Sequence, residues 1–136
     1  MIEQRISLNT IERPQGSGVD EHLAWFCESL GLTNGRDLEN IAQQVVLEVL
    51  AEIAAERGVA SETLAGHLEI TPGRVNHHVR NLTLAGLLYR KKKLIYLRGG
   101  SLTAAVEEMR KDADRIFDDL QEVAEVLDGA MGIRRG

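Results

Sequence analysis

Residues 58–98 read GVASETLAGHLEITPGRVNHHVRNLTLAGLLYRKKKLIYLR. Ser61 is placed to cap a short helix from Glu62 to Leu68, with Leu64, Ala65 and Leu68 turned inward. Glu69, Ile70 and Thr71 then form a tight turn. Thr71-Pro72 is a strong helix start, because Thr caps and Pro suits a first helical position that needs no N–H. The second helix runs from Pro72 to Ala85, buries Val75, Val79 and Leu82, and stops at Gly86. Leu87 to Arg90 and Leu94 to Arg98, rich in Leu, Ile and Tyr, flank Lys91-Lys92-Lys93 as a small β-hairpin with a basic tip. The tip lacks the Asn-Gly or Asp-Gly of a tight hairpin, so its turn geometry stays open at this level.

Two short helices joined by a tight turn and followed by a hairpin are the parts of a winged helix-turn-helix. The fold class expected is mainly α, with a short two-stranded β wing. In that arrangement the second helix enters the major groove of duplex DNA and its N-terminal half meets the base edges. With Val75, Val79 and Leu82 buried, the helical period leaves Arg74, Asn76, His77, Arg80 and Asn81 on the open side. Arginine can bond guanine bidentately, asparagine can bond adenine, and both can hold phosphates. Gly73 near the helix start lets the backbone approach a phosphate at the positive end of the helix, and the capping Thr71 is a further DNA-binding candidate. Arg90, Lys91, Lys92, Lys93 and Arg98 add positive charge on the wing.

The charge distribution fits this placement. The chain has 136 residues, the size of one domain, and a formal net charge of −5. Residues 61–100 nevertheless carry seven Lys/Arg against two Asp/Glu, while residues 1–60 carry four against ten and residues 101–136 five against nine. Screening limits the reach of the remaining acidic charge to about 10 Å at moderate salt, so one basic face can still hold DNA. Charge alone fits a solvated surface equally well.

Outward from this core, residues 1–19 have little periodicity and read as a flexible arm. Residues 20–57 hold two helices for core and dimer contacts. In the first, Asp20 caps and Leu23, Phe26, Cys27 and Leu30 share a face, with Gly31 and Thr33-Asn34-Gly35 ending it. The second runs from about Asp37 to Arg57 with a broad stripe of Ile41, Ala42, Val45, Val46, Val49, Leu50, Ile53 and Ala54. After Gly99-Gly100, Ser101 caps a last helix over residues 101–131. There Leu102, Val106, Met109, Ala113, Ile116, Leu120, Val123 and Leu127 repeat in strict 4-3 spacing. Phe117, Ala124 and Val126 widen the seam. A chain this short has little surface to cover so long a stripe, and a second copy is the expected cover. This is the long C-terminal dimerisation helix of the expected fold.

Val75-Asn76-His77-His78-Val79, Leu82 and Ala85-Gly86-Leu87-Leu88 resemble the recognition helix of ArsR-type and MarR-type winged-helix transcriptional regulators. Tyr89-Arg90 to Tyr96-Leu97-Arg98 resembles their wing, although it is shorter than usual. The resemblance covers residues 58–98. It implies a prokaryotic, bacterial or archaeal, transcription regulator that binds DNA as a homodimer, more often a repressor occluding its promoter. The expected operator is an inverted repeat with half-sites roughly 34 Å apart. The alternative is a winged-helix protein-interaction module without sequence-specific DNA contact.

Other chemistries find little support. Cys27 stands alone and is expected in the core. His77 and His78 are adjacent and diverge by about 100° on a helix, and His22 and His67 have no ligand-type partner four residues on. No metal and no cofactor are therefore expected. Nor is an enzyme, since the chain has no phosphate-binding glycine loop, nucleophile elbow or acid–base constellation. Glu107, Glu108, Asp112, Asp118, Asp119 and Glu122 read as the solvated face of the last helix. Trp25 and Phe26 are expected to pack in the core, the alternative being a small-molecule pocket between subunits. No membrane span or signal peptide is apparent, and the expected location is cytoplasmic.

Overall fold

The computed structural model describes residues 3–32, 40–54 and 57–134. The fold is mainly helical, with a two-stranded antiparallel sheet and a long C-terminal helix. The elements are α1 (Val19–Ser29), α2 (Ile41–Ala54), α3 (Ser61–Leu68), α4 (Pro72–Ala85), β1 (Leu88–Lys91), β2 (Leu94–Leu97) and α5 (Leu102–Ala130). A short 3-10 turn, Arg98–Gly100, joins β2 to α5.

Apolar spacing explains how they pack. Leu23 and Cys27 of α1 meet Ile41, Val45, Val46 and Val49 of α2. Leu64, Val75, Val79 and Leu82 close over them, and Leu87, Leu88, Ile95 and Leu97 cover the hairpin side. Burying each large aliphatic side chain stabilises the fold by about 1.5–3 kcal/mol before entropy is counted. The aromatic-poor composition therefore still suffices. The expected ends of α2 near Asp37, and its last turn around residues 55–56, lie outside the described residues, as do Thr33-Asn34-Gly35 and the side chains of Ile53 and Ala54. Arg57 itself is not helical.

Two expected caps are corrected. α1 begins two residues earlier, with Gly18 at its N-cap, so Asp20 sits in the first turn, where its charge favours the helix dipole instead. α3 begins at Ser61 itself, with Ala60 as an N-cap whose methyl group can accept no bond, and the Ser61 hydroxyl is used elsewhere. The caps of α4 and α5 behave as their residues predict. Thr71 Oγ1 accepts from the Arg74 N–H at 3.2 Å, Pro72 opens α4, and Gly86 ends it at φ 95°. Ser101 accepts from the Ala104 N–H at 3.0 Å and opens α5.

The hairpin is shifted by one residue from expectation. Lys91 pairs with Leu94 at the end of the strands, and the turn is Lys92-Lys93 alone. Both have positive φ, 52° and 68°, the pattern of a type I′ turn that matches strand twist but normally selects Asn and Gly. Val59 adds a further antiparallel bridge to Ile95, with N–H to O distances of 3.0 and 2.8 Å. Beside it the Tyr96 ring lies so close to Gly58 that a Cβ there would come within 2.5 Å of it.

Residues 3–18, expected as a flexible arm, are bonded across the body. The Arg5 N–H donates to Leu84 O at 2.9 Å, the Asn9 N–H to Ser29 O at 2.8 Å, and Trp25 Nε1 to Ile11 O at 3.1 Å. Two other expectations are overturned at the hinge between hairpin and α5. Arg98 does not charge the hairpin surface, and Asp112 is not on the solvated face. Asp112 is only 3% exposed, and Arg98 binds it through both Nη atoms. Gln4 Nε2 donates to the same carboxylate at 2.7 Å, and Arg115 pairs with it from the next turn of α5. The Arg98 guanidinium, aided by Gln4, holds the Asp112 carboxyl at about 2, against the upward push of burial. The same carboxylate raises the Arg98 pKa. No helix among the described residues is long and apolar enough to cross a membrane.

Candidate nucleic-acid interface

The side chains proposed to meet DNA divide into three groups. On the solvent face of α4 stand Gly73, His77 and Arg80, all exposed, with Thr71 and Arg74 at its first turn. His77 packs edge-on against the half-buried His78, ring centroids 5.3 Å apart. Arg80 has no ion-pair partner among the described residues. Asn81 lies toward the other flank, where it lines a small depression with Arg5, Ser7 and Leu84.

The second group is a cleft between α3, α4 and the hairpin tip, of about 570 Å³. Arg90, Lys92 and Lys93 line it, with Ser61, Asn76 and the single acid Glu62. Strand alternation explains why consecutive cations part company. Leu88, Arg90, Ile95 and Leu97 share the inner face of the hairpin, whereas Tyr89 and Lys91 share the outer face with Tyr96. The Tyr89 and Tyr96 rings stack 5.3 Å apart there. Lys91 therefore belongs to a third, outer position, away from the cleft.

Inside the cleft three side chains close a ring. The buried Ser61 hydroxyl donates to Asn76 Oδ1 at 2.8 Å, Arg90 Nη2 donates to the same oxygen at 2.8 Å, and Arg90 Nη1 donates to Ser61 Oγ at 3.1 Å. This arrangement changes the chemistry expected of Asn76. A bidentate bond to adenine needs one acceptor and one donor on the side-chain amide. Both lone pairs of Oδ1 are taken, so only the Asn76 NH₂ remains to donate, which suits a phosphate oxygen or a purine acceptor. Arg90 is likewise a bridge that still carries its charge, in place of a free fork for guanine. Ser61, the hub of this ring, is not apparent from sequence as a site residue; its position before a helix reads as a cap. Glu62 also escapes a sequence reading, since no spacing signal links it to the hairpin.

The expected dimer seam also divides. Met109 is buried in the chain's own core and Leu102 packs against it, while Val106 and Ala113 are half-buried. Ile116, Leu120, Val123 and Leu127 are exposed, as are Phe117 and Val126 beside them. Cys27 is buried, and among the described residues no three His, Cys, Asp or Glu side chains gather as a metal would require. Comparison with protein-family models, with curated proteins and with solved structures gives no match for this chain.

Proposed function

We propose that this chain is a sequence-specific double-stranded-DNA-binding regulator of the winged helix-turn-helix type, similar to the ArsR and MarR regulators. It acts in the cytoplasm as a homodimer on an inverted repeat and represses by covering the promoter. In this reading α3 and α4 are the helix-turn-helix, α4 is the recognition helix, and β1–β2 is the wing.

The observation that carries the reading is the hairpin tip. Lys92 and Lys93 both hold left-handed backbone, where a residue with a Cβ costs about 1–2 kcal/mol relative to its usual conformation. Asn-Gly would form the same turn with less strain, so stability alone does not favour lysine here. The strain sets the two lysines along the cleft, with Arg90 and with Asn76 of α4. A polyanion lying along α4 would meet the positive helix end, Arg74 and Arg80 on the helix, and the tip lysines.

Binding of a fluorescent duplex by anisotropy over a series of salt concentrations tests this. The wild-type affinity should fall linearly on a log–log plot. Lys92→Ala with Lys93→Ala should weaken binding and reduce the magnitude of the salt slope by about 2, one unit for each phosphate no longer neutralised. An unchanged slope would remove the hairpin from the interface.

A further inference from the structure

The apolar stripe of α5 changes partner along its length. Its first part packs on the chain's own core through Ala105 and Met109. Its second part is open, with Leu120 58% and Leu127 59% exposed. Where the two parts meet, Val106, Met109 and Ala113 form one wall of an apolar groove of about 360 Å³. Trp25, Phe26 and Leu8 line it from the other side, and Leu8 is itself 67% exposed. Arg110 stands at this groove and has no ion pair among the described residues.

We propose that this groove is the seat for the end of α5 from a second copy, with the two α5 helices antiparallel across a two-fold axis near residue 118. The proposal rests on the homodimer reading above and adds its orientation and its seat.

Charge selects the orientation. From Asp118 to Asp128, α5 carries Asp118, Asp119, Glu122, Glu125 and Asp128 and no Lys or Arg. A parallel pair would set this acidic half against its own copy, and like charges along a helix seam are destabilising. An antiparallel pair moves Glu122, Glu125 and Asp128 off their own copies and beside residues 107–115. There Lys111 and Arg115 already pair with Glu108 and Asp112, Glu107 and Asp114 add two further acids, and Arg110 is the cation left to meet them. Arg110 and Asp128 lie on the same edge of the stripe, about five turns apart at 3.6 residues per turn. Antiparallel pairing brings that edge of one helix against the same edge of the other.

The seam spacing and the position of the groove together select the register. Reversal about the point midway between Ile116 and Leu120 places Leu120 on Ile116, Val123 on Ala113 and Leu127 on Met109. Each exposed seam residue thereby meets a seam residue of the other copy. Met109 and Leu127 then lie about 13 Å either side of the axis at 1.5 Å per residue. The partner's Leu127 arrives at the height of the groove and the exposed Met131 one turn further along it. Such a contact is isologous and closes at two copies.

The test uses the full chain in a Cys27→Ser background, with Asp119→Cys or Leu127→Cys introduced singly, oxidised, and read on a non-reducing gel. Analytical ultracentrifugation of the unmodified chain gives its mass in parallel. The expected result is a dimer in which Asp119→Cys links to its own copy and Leu127→Cys does not. Val123→Cys should also link when mixed with Ala113→Cys. A dimer in which Leu127→Cys links to itself, or Asp119→Cys does not, overturns the antiparallel seat and leaves the homodimer standing. A monomer at micromolar concentration overturns both.

Discussion

Arg90 reaches across from the hairpin to bond Asn76 of α4 at 2.8 Å, so two side chains that the sequence offers to DNA are first used to hold the hairpin against the helices. The buried Ser61 hydroxyl completes the contact with both. The cleft is thereby set before any ligand arrives, and less ordering remains to be done on binding.

Arg90→Ala should cost about 1–2 kcal/mol of stability, since it removes two hydrogen bonds and leaves Ser61 with one partner. Arg90→Lys should recover little of this, because one ammonium does not reproduce the guanidinium fork. Urea unfolding of the three proteins reads the difference. Equal midpoints would mean that the ring of bonds contributes nothing.

Replacing the strained tip with Asn-Gly separates stability from binding. Lys92→Asn with Lys93→Gly should raise the stability by about 1–2 kcal/mol, because the left-handed turn becomes easy. The same variant should bind duplex DNA more weakly. Thermal unfolding and anisotropy on one preparation measure both. A more stable protein with undiminished DNA affinity would sink the claim that the lysines are there for DNA.

Asp112 should be the most sensitive polar position. Its carboxyl is shifted from its ordinary 3.8 to about 2, so its folded pKa is depressed. The stabilisation, about 2 kcal/mol, is present in full above the unfolded value and disappears as pH falls through the folded one. Asp112→Asn should destabilise the protein by about 3 kcal/mol at neutral pH, because Arg98 and Arg115 lose their shared partner. Between pH 5 and pH 2 the gap between wild type and variant should narrow in urea titrations. A gap independent of pH would place the loss in packing instead.

Gly86→Ala should destabilise by about 2 kcal/mol. The position holds φ 95°, and a Cβ would come within 2.6 Å of Gln4 Nε2 and 3.1 Å of Arg98 Nη1. Both of those groups bind Asp112. The effects of Gly86→Ala and Asp112→Asn should therefore fall short of additivity when combined, which a double-mutant cycle from unfolding data would show.

Local chemistry made much of the fold legible. Thr71-Pro72, Gly86 and Ser101 each act on neighbours within four residues, and the structure has α4 and the start of α5 bounded where they predict. The 4-3 repeat likewise marked α5 as one long helix. What escaped depends on distant partners. Asp112 looks like any acid on an amphipathic helix until Arg98, 14 residues before it, and Gln4, 108 residues before it, converge on it. Ser61 looks like a cap until Asn76 and Arg90 are folded against it. The Val59–Ile95 bridge involves one residue on its first side, too few to show any alternation. At the candidate site, residue types and faces were readable from periodicity. The bonds that fill the Asn76 acceptor were not, because periodicity says which way a side chain points and nothing about what it meets.

Selection of preferred sites from random duplex DNA, with the winners measured by anisotropy at two salt concentrations, tests the central claim most directly. The account predicts an enriched inverted repeat with half-sites about one helical turn apart, bound in the nanomolar range at moderate salt. Failure to enrich any motif, with weak binding that vanishes as salt rises, would contradict it and point to proteins as the partners of this fold.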